Sequence, residues 1–213
     1  MTSELERLRH IMAELRVRCP WDAEQTHRSL LNHLIEEACE VVDAVETGDD
    51  AELVEELGDL LLQVYFHARI AEDEGRFTLD DVARGISDKL IRRHPHVFAD
   101  EEVPADMWQS WEERKRAEKG RSSALEGIAE SLSVIGRAHK VISRSRSHGV
   151  AVELADEPLD EDSVGRGIIA LVARAQAHGI DADAAARQAL RELEERVRSA
   201  EIKPSRRCFH TRG

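Results

Sequence analysis

Two pairs of acidic residues near the start of the chain have the types and spacing for metal-assisted chemistry on phosphates. Glu37 and Glu40 are three residues apart, and so are Glu56 and Asp59. On a helix that spacing leaves two side chains about 60° apart on one face, a turn apart in height. Four carboxylates crowded together repel one another unless a hard cation takes them. Mg²⁺ is the expected ion, because it prefers oxygen ligands and keeps waters and substrate phosphates in its shell; Mn²⁺ is a substitute. The plain alternative is a solvated acidic face, the usual fate of Glu on helices. Two such pairs on consecutive amphipathic segments, each beside an apolar stripe, weigh against it. Gly58, mid-helix at a cost of about 1 kcal/mol relative to Ala, suggests a close helix contact or substrate approach.

A second group is basic. Lys89, Arg92 and Arg93 precede His94 and His96. Lys89 shares a helix face with both arginines, which suits contacts to phosphate oxygens. Complementation of a helix C-terminal dipole explains the same residues without a ligand. Further on, Trp111 with Arg114 and Lys115 offers an aromatic face beside cations. It can stack on a base, or anchor a core.

These side chains need helices to hold them. Leu5, Leu8, Ile11, Met12 and Leu15 recur at a helical period over 4–17, and Cys19-Pro20-Trp21-Asp22 breaks the run as a turn. A second run covers about 29–46, with Leu31, Leu34, Ile35, Ala38, Val41, Val42 and Val45 as its stripe. After the turn Thr47-Gly48-Asp49-Asp50 a third covers about 51–71, with Leu53, Leu57, Leu60, Leu61, Val64 and Ala68 inward. A short turn between long helices makes them antiparallel neighbours. Thr78 or Asp80 caps a helix to about 92, ended by His94-Pro95-His96. A polar loop at 100–105 leads to a helix at 107–119, and Gly120-Arg121-Ser122-Ser123 reads as a linker. Helices follow at about 124–147, 163–178 and 182–200, before a basic, aperiodic tail that reads as flexible.

Composition agrees with an all-α fold: aromatics are only 4%, and helix formers dominate. A net charge of −13 argues against non-specific nucleic-acid binding, which needs cationic surface. No stretch has the roughly 20 apolar residues of a membrane span. Cys19, Cys39 and Cys208 have no metal-ligand spacing and read as reduced thiols, so a cytoplasmic protein is expected.

Taken in order, these motifs resemble the MazG family of nucleoside triphosphate pyrophosphohydrolases, strongly over about 5–150 and weakly over 163–200. The carrying residues are Cys19-Pro20-Trp21-Asp22 with Gln25-Thr26-His27, then Glu36-Glu37-Ala38-Cys39-Glu40 and Glu55-Glu56-Leu57-Gly58-Asp59. They continue through Asp88–Phe98 and Trp111–Lys119. The resemblance implies an antiparallel bundle of the all-α NTP pyrophosphatase type that dimerises. It implies Glu37, Glu40, Glu56 and Asp59 as catalytic Mg²⁺ ligands. Lys89, Arg92 and Arg93 become the phosphate contacts, and Trp111 and Lys115 lie near the nucleotide. A coordinated water would attack the α-phosphorus, with Glu36 or Glu55 as candidate base. The competing function is a regulatory module that binds Mg²⁺–NTP and a protein partner with little turnover.

Internal comparison suggests a second, degenerate helical repeat. Val164–Leu171 overlays Leu57–Val64, with Ser163 in place of Glu56 and Arg166 in place of Asp59. In the following helix, Glu192 and Glu195 fall opposite Lys89 and Arg92. The expected organisation is therefore an active module over 1–120, a structural or dimerising repeat over 121–200, and a tail over 201–213.

Overall fold

The computed structural model describes residues 3–99 and 101–202, all of whose regular structure is helical. The described residues divide between Glu101 and Glu102 into two compact units. The Lys203–Gly213 stretch, with Cys208, lies outside them.

The first unit holds α1 (Glu4–Arg18), α2 (Pro20–Glu24), α3 (Leu31–Thr47), α4 (Asp50–Asp73), α5 (Leu79–Arg93) and α6 (Pro95–Phe98). Cys19 ends α1 in an extended conformation, but the expected turn at 19–22 is instead the start of α2. Pro20 stands at its first helical position, where a missing N–H costs nothing. The same device restarts the chain after His94, with Pro95 opening α6. Gly48 (φ 75°) closes α3, and the Asp49 side chain accepts from the N–H groups of Ala51 and Glu52 to open α4. Thr78 and Asp81 form a reciprocal capping box on α5.

Met12, Leu30, Tyr65, Phe66 and Ile70 form the core of this unit, where α1 packs on α2 and α4. Arg16 ties the crossing together. Its guanidinium donates to the carbonyls of Asp22 (2.5 Å), Ala23 (3.2 Å) and Gln25 (3.1 Å) and pairs with Asp73 at 3.2 Å. The α3–α4 hairpin is the most extensive helix contact among the described residues. Its expected inward stripes are largely uncovered. Ile35 and Val45 are each 60% exposed, Leu57 and Val64 are exposed too, and α5 buries no residue at all. The helical period is as expected; within one chain α1 covers only one side of the hairpin.

The second unit contains α7 (Met107–Lys119), α8 (Val134–Ser147), α9 (Glu161–Ala177) and α10 (Ala182–Ile202). The helix expected over 124–147 begins only at Val134. Gly127 adopts φ 70°, and Ser133 caps α8 by accepting from the Gly136 N–H. Nor is 120–123 a linker. Ser123 Oγ donates to Glu201 at 2.8 Å, and the buried Ala124 N–H donates to the same carboxylate at 2.7 Å. Ala124 and Ile128 join Val141, Leu190, Leu193 and Val197 in the core. Arg144, itself buried, donates to the carbonyls of Ala124 (3.2 Å) and Glu126 (2.5 Å). α9 contributes no buried side chain and packs on α10.

Glu201→Ala orphans the buried Ala124 N–H, so it should cost about 1–3 kcal/mol of unfolding free energy. Urea unfolding of the variant checks this against a surface control such as Glu192→Ala.

Candidate active site

An antiparallel hairpin brings together residues equidistant from its turn. Glu40 lies eight residues before Gly48 and Glu56 eight after; Glu37 and Asp59 are each eleven away. One carboxylate oxygen from each of Glu37, Glu56 and Asp59 falls within 4.8 Å of the other two. The expected fourth member, Glu40, stands beside this trio. It shares a hydrogen bond with Glu37, and its charge acts on Glu56. An all-oxygen donor set of this kind suits a hard divalent cation rather than a soft one.

The crowding is visible in the proton affinities. Glu37 is held above the ordinary carboxylate range, first by desolvation, then by the Asp59 charge and by Glu40. Desolvation also leads for Glu56, followed by the charges of Glu40, Glu55, Asp59 and Glu52. Like charges and partial burial both disfavour ionisation, which is the state a metal ligand needs. Glu36 and Glu55 thus border the trio without joining it. Gly58 has a simpler setting than its sequence position suggests. A Cβ there would meet nothing within 4 Å, so no close approach within the chain requires it.

The basic residues lie on α5, which packs against α4. Lys89 and Arg93 are half-buried and four residues apart, whereas Arg92 is exposed. Trp111 and Lys115 sit on α7, in the second unit, with the Lys115 ammonium 4.2 Å from the Trp111 ring centroid. That is a cation–π contact in its own right. In the second unit Ser163 occupies the first turn of α9, and Arg166 pairs with Asp162 at 2.8 Å.

Beyond the candidate residues read from sequence, Gln63 and His67 follow Asp59 at four-residue steps along α4. That spacing is a signal the acidic motif overshadowed. Gln63 is buried, and His67 meets His27 across the hairpin seam.

Residues 25–98 match the MazG nucleotide pyrophosphohydrolase domain. A Thermotoga maritima relative named nucleoside triphosphate pyrophosphohydrolase/pyrophosphatase MazG is 36% identical over 218 residues, spanning 92% of this chain and 85% of the relative. The chain belongs to the MazG family. MazG proteins named nucleoside triphosphate pyrophosphohydrolase include one from Escherichia coli K12, 44% identical over 155 residues, covering 69% of this chain and 59% of that protein. The chain thus spans little more than half the length of that relative. A solved MazG-related protein from Thermotoga maritima is 31% identical and aligns with a TM-score of 0.46, over 52% of this chain and 98% of that one. MazG membership makes the chain a hydrolase, and its helix-only described structure is the all-α architecture of that family. No helix among the described residues is long and apolar enough to cross a membrane.

Raised proton affinity has a definite sign in stability. The folded, metal-free chain binds protons at Glu37 and Glu56 more tightly than the unfolded chain does. These groups therefore weaken the fold as pH rises from about 4.3, the unperturbed Glu value, through their raised values. Thermal melts without metal should show this fall, and Glu56→Gln should flatten it. Magnesium, which needs the ionised form, should raise the melting temperature more at pH 7.5 than at pH 5, and an equal shift at both would contradict the site.

Proposed function

We propose that this chain hydrolyses nucleoside triphosphates to the nucleoside monophosphate and pyrophosphate, with Glu37, Glu40, Glu56 and Asp59 holding Mg²⁺, or Mn²⁺ in its place. One observation carries the reading: carboxylates from two helices converge within 4.8 Å although their charges oppose it. Such an arrangement stores repulsion that a divalent cation relieves. Held by these four residues, such an ion would offset triphosphate charge and would supply an activated water for attack at the α-phosphorus.

The protein's own side chains do the rest. The carboxylates, carried by the packed α3–α4 pair, would set where the ion is held. Lys89 and Arg93, with Arg92 beside them, bind the β- and γ-phosphates and stabilise charge on the departing pyrophosphate. Glu36 and Glu55 border the carboxylate trio, and either can take the proton of the attacking water.

The uncovered apolar residues of α3, α4 and α5 support a homodimer, in which a second copy covers the open side of the hairpin. Residues 1–120 then form the active module. Residues 121–200 act as a degenerate repeat with a structural or dimerising role, because Arg166 stands where the repeat would need an acid and a cation does not ligate a cation. The free thiols of Cys19 and Cys39 support a reducing, cytoplasmic location.

Incubation with a panel of canonical and damaged NTPs and dNTPs, with and without Mg²⁺, should release pyrophosphate rather than inorganic phosphate. Glu56→Gln should reduce release by about 100-fold or more, since even outer-shell partners of a metal cost 10–100-fold. Circular dichroism should show the fold intact. Nucleotide binding without any pyrophosphate would instead identify a regulatory module.

Leu57→Glu places a charge on the exposed stripe, so sedimentation should show it monomeric where the unmodified chain is dimeric.

A further inference from the structure

We infer that His27 and His67 are positioning residues for the acidic site, a pair locked in one tautomer that pins the start of α3 to α4. The inference rests on the metal-binding reading of Glu37, Glu40, Glu56 and Asp59.

The Gly48 turn closes one end of the hairpin. At the other end His27, in the turn that feeds α3, places its Nδ1 2.7 Å from Nδ1 of His67 on α4. The two ring planes lie within 3° of parallel with centroids 5.0 Å apart, so the rings meet edge to edge along the Nδ1–Nδ1 contact. Arg76, just beyond α4, hydrogen-bonds the other nitrogen of His27, Nε2, and is paired with Glu74 at 2.6 Å.

These contacts fix the protons. A guanidinium only donates, so His27 Nε2 must accept. The His27 proton therefore sits on Nδ1 and is donated to His67 Nδ1. His67 in turn carries its own proton on Nε2. One distribution alone satisfies both contacts with two neutral rings. Burial first, and His27 second, push His67 below its ordinary pKa, in keeping with a neutral ring. His67 Nε2 is buried without a partner, as is Gln63 Oε1 one turn nearer Asp59.

The need for a pin follows from the charges. Repulsion among four carboxylates acts in the middle of the seam and tends to part the helices. The turn at Gly48 restrains only one side of that opening. His27–His67 restrains the other, and its anchor is firm. Arg16 holds the Gln25 carbonyl at 3.1 Å, and Thr26 and Ser29 exchange backbone-to-side-chain bonds of 3.0 and 3.1 Å. The start of α3 is thereby fixed to both α1 and α4, so Glu37, ten residues after His27, meets Glu56 and Asp59 without a search.

The test is Mn²⁺ binding to the full chain without nucleotide, followed by the loss of the free-ion electron paramagnetic resonance signal, alongside thermal melting. His67→Leu keeps bulk but removes the lone pair at Nδ1. His67→Asn returns an amide oxygen close to that position. His67→Leu should weaken Mn²⁺ binding about 10-fold or more, within the range for residues that orient metal ligands, and His67→Asn should recover most of it. Should His67→Leu fail to fold, Arg76→Leu at a more exposed position reads the same chain from its other end and should also weaken binding. Unchanged binding in the folded Leu variants, or an Asn variant as weak as His67→Leu, overturns the pin. A fall in melting temperature with Mn²⁺ affinity intact does so too, because it leaves a purely structural pair. An unmodified chain that binds no Mn²⁺ removes the metal reading itself, and the pin with it.

Discussion

Mutual repulsion of carboxylates across the α3–α4 seam is the constraint around which the first unit is organised. Glu37 and Glu56 are both held above the ordinary carboxylate range, so the metal-free hairpin carries an unfavourable interaction at its centre. Apolar packing and hydrogen bonds elsewhere must offset it. They do so at the edges: Gly48 and Asp49 at the turn, Arg16 and the Met12–Phe66 core beneath, and His27 with His67 at the far end. In the proposed metal site, restraint at those edges would preorganise the cluster, because ligands that cannot relax away from one another gain most from a cation.

The same arrangement leaves much apolar surface uncovered. A two-helix hairpin has two broad sides, and α1 with α2 covers one. The residues exposed on the other side, such as Ile35, Val45 and Leu57, keep the helical period of a buried face. The second unit solves its packing differently. Arginines reach into its core and bind carbonyls of the irregular 124–129 segment, as Arg144 and Arg137 do. Arg16 treats the end of α2 in the first unit the same way. In each case a guanidinium satisfies carbonyls that no helix serves, which lets a non-helical segment pack against helices.

Much of this was legible in the residues themselves. The apolar period located α1, α3, α4, α5, α9 and α10 to within a few residues, and the turn at 47–50 made the hairpin antiparallel. Equal distances from Gly48 then brought Glu37 to Asp59 and Glu40 to Glu56. Local rules failed where one residue plays two parts, closing an element and starting its successor. Pro20 and Pro95 interrupt one helix and open the next, and Gly127 with Ser133 delays α8 by about ten residues. The supposed linker at 120–123 was unreadable for another reason: its partner, Glu201, is nearly eighty residues away.

The positions and order of the long amphipathic helices, and the spacing that sets acidic and basic side chains on their faces, were already written in the chain, because 3.6-residue periodicity and short turns are local properties. Long-range packing settled the remainder: three carboxylates meet while Glu40 stands beside them, Gly58 has open space, and His27 faces His67. Those outcomes depend on rotation and spacing between helices, which are set by contacts among distant residues and carry no local signature.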